Sequence, residues 1–370
     1  MTDFMQPTTC RRLASSAGYS LVELLIAMTL LTLIMGATLG GLANVMTGNE
    51  TVMMLSTMNG QLRSGLDLMV RDFLQVGSGL PASHSVSIPN GAGSVTVRLP
   101  GPPGTAFTTT AGDLTLPAVI PWAGGGPTIA GTATDVVSVL MADNAFLDVA
   151  LSAVTNTTVT IAAGPNLATG PDRVLEGQLM LISKGSFNTL VQVTLKDVNT
   201  RVLTFANGDS LRLNQTAAAA GNLTALNAQA PVNSAAATRI SRLRLITYYL
   251  DTSVSTVHPR LMRRINNGDQ VTFNNNLGTS VAMDIVNLQL AYDISNGAGN
   301  PGNVEMVAAD MTTAGACNPA ACAQTQIRKV NMQLTAQTQN LGQASQTAFL
   351  RNTLSSQVSL RSMAFVDRYR

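Results

Sequence analysis

Glu23 is the one charged residue in the apolar stretch YSLVELLIAMTLLTLIMGATLGGLANVM, residues 19–46. An acidic side chain at the centre of a membrane helix costs roughly 2.5–3.5 kcal/mol on insertion scales, so such a residue marks a functional site unless it sits at the helix end and reaches water. It needs a cation, and none lies nearby in the intact sequence. Cutting the chain between Gly18 and Tyr19 would create one, an α-amine four residues before Glu23. Elsewhere the search for chemistry is thin. The two histidines, His84 and His258, lie far apart in sequence and in no recognisable motif, and GxSxG, HExxH, CxxC and GxxxxGK are all missing. The string NGAGNPGN at 296–303 lacks the lysine and the strand–helix setting of a phosphate loop. No catalytic set, metal site or cofactor is expected.

Three cysteines occur. Cys10 precedes the proposed cut. Cys317 and Cys322 form the close pair CNPAAC, which in an exported protein reads as a disulfide, against free thiols or a metal site. Arg239, Arg242, Arg244, Arg260, Arg263 and Arg264 cluster in the mildly basic C-terminal third. They could face a polyanion, but a solvated or partner-facing surface is the expected reading, and nucleic acid is an unlikely partner. Aromatic residues make up only 4%, so stacking platforms for single strands are scarce. The lone Trp122 is expected to anchor a loop.

These residues need elements to place them. The first 18 residues, MTDFMQPTTCRRLASSAG, hold no apolar run, unlike a secretory signal peptide. Arg11 and Arg12 come first, then the small pair Ala17-Gly18, then the hydrophobic segment. From Leu24 to Gly48 there is no charge; about 25 helical residues span about 37 Å, enough for a bilayer core of about 30 Å. The two arginines place the N-terminus in the cytoplasm and the remainder across the inner membrane. Leu55, Met58, Leu62, Leu66, Met69 and Phe73 continue at helical spacing, predicting one helix over about 20–76 with an apolar stripe for a sheet. Arg63, Asp67 and Arg71 could pair along another face. Gly36 and Gly40 permit close helix contact, and Gly60 and Gly65 suggest a bend.

Beyond Gly77 the chain alternates short β-like runs with turn-rich spacers. Alternation at 191–196, 286–292 and 330–336 predicts half-buried strands, and 100–131 and 214–238 read as irregular stretches. The organisation is therefore a leader at 1–18, a long helix at 19–76 and a β-rich head at 77–370, with a β subdomain inserted at 134–213. The fold class is α+β. With 45% apolar and 11% charged residues the chain has material for a large core, and the composition is not that of a disordered protein.

The string Gly18-Tyr19-Ser20-Leu21-Val22-Glu23-Leu24-Leu25-Ile26-Ala27-Met28 resembles the prepilin-peptidase signature of type IV pilins and type II secretion pseudopilins. Tyr19 stands where Phe is usual. The resemblance implies cleavage after Gly18, N-methylation of Tyr19, and a register role for Glu23 in a filament. The head strings TDVVSVLMADN, RLRLITYYLD and VAMDIVNLQLAYDI, with the C-terminal LRNTLSSQVSLRSMAFVDRYR, are similar to those of PilW-type minor pilins, with J-type pseudopilins as cousins. That implies a pilin-like fold and a low-copy, non-enzymatic subunit of a fimbrium that primes pilus assembly or sits near its tip. Implied partners are prepilin peptidase, other minor pilins, the major pilin, the inner-membrane assembly platform and the lipid bilayer. A secretion pseudopilin and a tip-displayed adhesin or DNA-binding module are the alternatives.

Overall fold

The computed structural model describes residues 18–103, 107–266, 278–295, 304–307, 323–338 and 349–363. Cys10, Cys317 and Cys322 lie outside the described residues. In chain order the elements are α1 (Leu21–Phe73), β1 (Ser85–Ser87), β2 (Thr115–Pro117), β3 (Val119–Trp122), β4 (Thr128–Ile129), β5 (Thr132–Ala133), β6 (Val136–Ala142), β7 (Val149–Val154), β8 (Thr158–Ile161), β9 (Leu179–Lys184), β10 (Phe187–Gln192), β11 (Leu195–Asp197), β12 (Val202–Thr204), α2 (Leu223–Asn227), β13 (Thr238–Asp251), β14 (Arg260–Ile265), β15 (Thr279–Met283), β16 (Ile285–Ser295), β17 (Val304–Val307), β18 (Ile327–Gln337) and β19 (Arg351–Ser359). This is the α+β, pilin-like architecture: a long N-terminal helix whose later turns pack on antiparallel sheet.

The chain forms two compact units, one containing α1 up to Met53 and one running from Met54 through the strands. In the first, the large apolar side chains from Leu21 to Met53 are exposed, and the segment is long and apolar enough to cross a membrane. In the second, the stripe Met58, Leu62, Leu66, Met69 and Phe73 is buried, with Leu55 packed at its start. Gly65 belongs to that stripe. A Cβ there would stand 3.0 Å from Leu261 Cδ2 and 3.3 Å from Ala282 Cβ. The glycine therefore serves close approach of helix to sheet, and α1 runs unbroken through it. Arg63, Asp67 and Arg71 are exposed and form no ion pair among the described residues, so the pairing expected from their spacing is missing. Exposed ion pairs gain too little over side-chain entropy to hold one geometry.

α1 stops at Phe73 because the chain turns tightly onto the sheet. Gln75 N–H bonds Asp72 O, Val76 N–H bonds Phe73 O, and Gly77 N–H bonds Leu140 O at 3.0 Å. Gly79 takes φ +67°, and a Cβ there would meet Ala142 Cβ at 2.5 Å, so a side chain is barred twice over.

β13 is the hub of the larger sheet. Its first half pairs with β9 and its second with β6 and β14. β6 is buried along its whole length and is apolar except at Ser138, whose hydroxyl is satisfied by Thr247 Oγ1 at 2.6 Å. One core joins the α1 stripe to β16, β18 and residues such as Val137, Val139, Ile246 and Tyr248. Leu140, Leu243, Leu245 and Tyr249 belong to a second core with Val86 and Ile88. A third core gathers Phe146, Val159, Leu203, Phe205, Leu223 and Leu226. The smaller sheet has the order β17-β16-β18-β19, all antiparallel.

Three local expectations change. Residues 100–131, read as irregular, carry β2, β3 and β4. The strand read at 191–196 breaks: Val193 N–H turns to Gln178 O and Thr194 N–H to Thr204 O, leaving Leu195 exposed on β11. Residues 214–238 are built structure as well as loop. Asn222 caps α2 by accepting from Ala225 N–H at 2.8 Å, and Asn214, Asn222 and Asn227 are buried. The buried amides of Asn214 and Asn222 bond backbone groups around them and organise a segment that alanine runs alone would leave irregular.

Candidate processing and assembly site at the N-terminal helix

The site begins where α1 begins. Gly18, Tyr19 and Ser20 lie outside the helix and are exposed, Tyr19 at 87%. No neighbouring atom comes within 4 Å of a Cβ placed on Gly18. The Gly18–Tyr19 peptide bond is thus unshielded, non-helical backbone, the form in which a protease can grip a chain.

The helix starts by a reciprocal cap. Leu24 N–H bonds Ser20 O at 3.1 Å, which makes Ser20 the N-cap residue. Ser20 Oγ accepts from Val22 N–H at 3.4 Å, and Glu23 Oε2 accepts from Ser20 N–H at 3.0 Å. This is the S-x-x-E capping box, shifted by one residue on the serine side. Glu23 is the one acidic residue in the first turn, where a carboxylate also offsets the positive end of the helix dipole. Ser20 was open to sequence reading through that motif and was missed. Tyr19, Glu23, Leu24 and Ala27 line one surface depression at the helix start, and Gly18 precedes it in the non-helical backbone.

A second constellation, unforeseen in the sequence, anchors the other end of α1. Asp72 is 5% exposed and lies on the buried stripe between Met69 and Phe73. Its carboxylate accepts from Arg263 Nε at 2.6 Å and Nη2 at 3.1 Å, and from Tyr248 Oη at 2.5 Å. The Phe73 and Tyr248 rings stack beside it with centroids 6.5 Å apart. Desolvation, reinforced by the Asp72 charge, pushes the Tyr248 phenol far up, so it stays a donor. Burial works against the Arg263 cation, but the hydrogen bonds and charge of Asp72 outweigh it and raise its pKa. The signal for Asp72 was a carboxylate in helical phase with an apolar stripe, which requires a buried partner.

The arginine cluster is largely engaged in pairs within the head: Arg242 is buried, Arg239, Arg260, Arg263 and Arg264 are half-buried, and Arg244 stays exposed. Arg242 and Arg244 converge on Asp143 at 2.8 and 2.6 Å, Arg260 pairs with Asp251 at 2.5 Å, and Arg263 takes Asp72. Arg239 bonds Ala236 O and Thr238 O, and Arg264 bonds Gly101 O at 3.4 Å. Arg242, Arg260 and Arg263 thus cross-link the head, whereas the exposed Arg244 keeps the solvated character expected of the cluster. Trp122 stacks on Phe107 at 4.2 Å and is half-buried, an anchor placed on β3. His258 Nδ1 sits 2.7 Å from Asp284 Oδ1. Among the described residues no group of three metal-ligating side chains occurs.

Residues 13–39 match the family model described as Prokaryotic N-terminal methylation motif. No curated protein and no solved structure matches the chain. The matched segment covers Gly18, Tyr19, Ser20 and Glu23 and marks a type IV pilin-like protein.

Proposed function

We propose that this chain is a minor pilin of a type IV pilus, most like the PilW-type subunits, made as a precursor and cut after Gly18 by prepilin peptidase. One observation carries the reading. An unshielded Gly18–Tyr19 bond leads directly into a helix whose first turn holds a single acid and whose following turns can cross a bilayer. Cleavage turns the Tyr19 nitrogen into a cation, which N-methylation preserves. That cation lies at the positive end of the helix dipole, where Glu23 is the nearest compensating charge. Ser20 N–H already occupies one carboxylate oxygen of Glu23, and the carboxylate has lone pairs to spare. In a filament it takes the amine of a neighbouring subunit. A shifted register would leave both charges uncompensated in an apolar core, so the pair selects the axial offset.

The leader side stays in the cytoplasm, α1 anchors the precursor in the inner membrane, and the head folds in the periplasm until assembly. There Cys317 and Cys322 close a short disulfide loop that pins the head surface. The subunit meets other minor pilins, the major pilin and the assembly platform, and primes assembly or lies near the tip. The test is a strain lacking the chain. Its surface filaments should fall in number, and filaments from the complemented strain should contain the chain in substoichiometric amount by mass spectrometry. Unchanged filament number with no chain in the filaments would contradict the reading.

A further inference from the structure

An edge strand keeps half its backbone N–H and C=O groups without a ladder partner, and so can take on another chain. β19 is such an edge. β18 pairs it from Lys329↔Ser359 to Gln337↔Arg351 without a bulge. Thr338 N–H bonds Leu350 O at 2.9 Å and Leu360 N–H bonds Arg328 O at 2.8 Å. Those two bonds fix the phase, because hydrogen-bonded pairs alternate along an antiparallel ladder. The even-numbered residues of β19 bond β18. Arg351, Thr353, Ser355, Gln357 and Ser359 turn their backbone groups outward, and no described strand pairs with them; Thr353 N–H is capped by Asn352 Oδ1 at 2.9 Å, an exposed acceptor that a pairing strand would displace.

Four edges of the larger sheet are blunted; on β10, Gln192 N–H is taken by Asn214 Oδ1 at 3.0 Å. β11 has three residues, two of them Lys196 and Asp197. β3 carries Pro121. On β15, Met283 N–H is taken by Gln61 of α1 at 3.0 Å. β19 is nine residues long, has no proline, and is uncharged after Arg351. Arg351 and the local cap on Thr353 N–H are its only guards, and it has neither the short length nor the proline that blunts the other edges.

We propose that β19 is a pairing edge and that its occupant is β19 of a second copy of this chain, antiparallel about a two-fold axis at Ser355. This register is the one that engages all five outward residues: Arg351 opposite Ser359, Thr353 opposite Gln357, and Ser355 opposite itself. The strand's single charge then faces a serine and no like charges oppose each other. The contact is isologous and closed, and it joins the two four-stranded sheets into one. It is too small for tight association in solution. It gains from the shared bilayer anchor, which raises the local concentration of heads. It does not depend on cleavage after Gly18.

The test uses the full chain in membranes, with Ser355→Cys and a thiol cross-linker spanning roughly 8 Å, longer than the Cα separation of paired residues. Thr335→Cys, on β18 one strand inward, and the parent with its native cysteines are the controls. A species of twice the chain mass should form about fivefold more from Ser355→Cys than from either control, since pairing holds the residue opposite itself. Adding Gln357→Pro removes an outward donor and none that β18 uses, and should cut the yield about fivefold. Adding instead the exposed pair Thr353→Lys and Gln357→Lys opposes like charges and should cut it equally. Equal yields at 355 and 335, or yields indifferent to these changes, would overturn the edge. Capture of a different protein by Ser355→Cys would overturn the occupant.

Discussion

Glu23 has two separable tasks, capping α1 through Ser20 N–H and holding a negative charge at the helix start. Glu23→Gln keeps an acceptor for the cap and removes the charge, whereas Glu23→Val removes both. Both variants should enter the membrane as well as the parent, because the insertion penalty of the acid is gone. Both should lose recovery of partner pilins on co-purification. A glutamine variant that recovers partners normally would reduce Glu23 to a cap. Asp72 is the other residue on which much rests. Asp72→Asn leaves Arg263 buried without its counter-ion and should cost about 3–5 kcal/mol in denaturant unfolding. Tyr248→Phe removes one hydrogen bond to the same carboxylate and should cost about 1–3 kcal/mol; equal costs would show that the ion pair adds nothing. Asp143 links the head to pH. Burial opposes its ionisation, but the hydrogen bond from Arg244 and the charges of Arg242 and Arg244 hold its pKa below the ordinary value of 3.8. A folded-state pKa below the unfolded one contributes stability above about pH 4, lost as pH falls through the folded value. Asp135 and Asp209 are raised by burial and act with the opposite sign. Both remain in Asp143→Asn, so that variant should be weaker at pH 7 and lose less stability between pH 4 and pH 2.5. Parallel pH curves in urea titrations would contradict this.

The glycines of α1 separate helix propensity from packing. Gly60 is exposed, with no atom within 4 Å of a Cβ placed there, so Gly60→Ala should stabilise by about 0.5–1 kcal/mol. At Gly65 the space is already held by Leu261 and Ala282, and Gly65→Val should destabilise by about 1–3 kcal/mol. The same sign at both positions would contradict the close approach described for Gly65. The stripe from Leu55 to Phe73 was legible because helical period and burial coincide, and the alternating strands β16 and β18 were legible for the same reason. At Gly65 the glycine reports close contact with the sheet, which composition alone does not distinguish from a bend, and the helix continues through both Gly60 and Gly65. Asp72 and Arg263 stand 191 positions apart, so their pairing depends on which strands become neighbours. The same topology paired Arg242, Arg260 and Arg263 within the head, since β13 and β14 carry those residues beside the carboxylates of Asp143, Asp251 and Asp72.

Two different physical regimes meet in one chain. The unit through Met53 offers an exposed apolar surface that no described part of that unit covers, which in water would be a liability and in a bilayer or a filament core is a requirement. The unit from Met54 onward is held by three apolar cores and by buried arginine–aspartate pairs. Such a chain can be stored in a membrane, with its head already folded, and handed to an assembly without refolding. In the function proposed above, that transfer uses a free, positively charged N-terminus at Tyr19, which cleavage after Gly18 would create. The decisive measurement is intact-mass and N-terminal peptide mass spectrometry of the chain purified from membranes of a strain with active prepilin peptidase. A mature N-terminus at Tyr19 carrying a methyl group is the expected result, with the uncut form accumulating when the peptidase is removed. A chain that keeps residues 1–18 in the presence of the peptidase, or one that begins elsewhere, would contradict it.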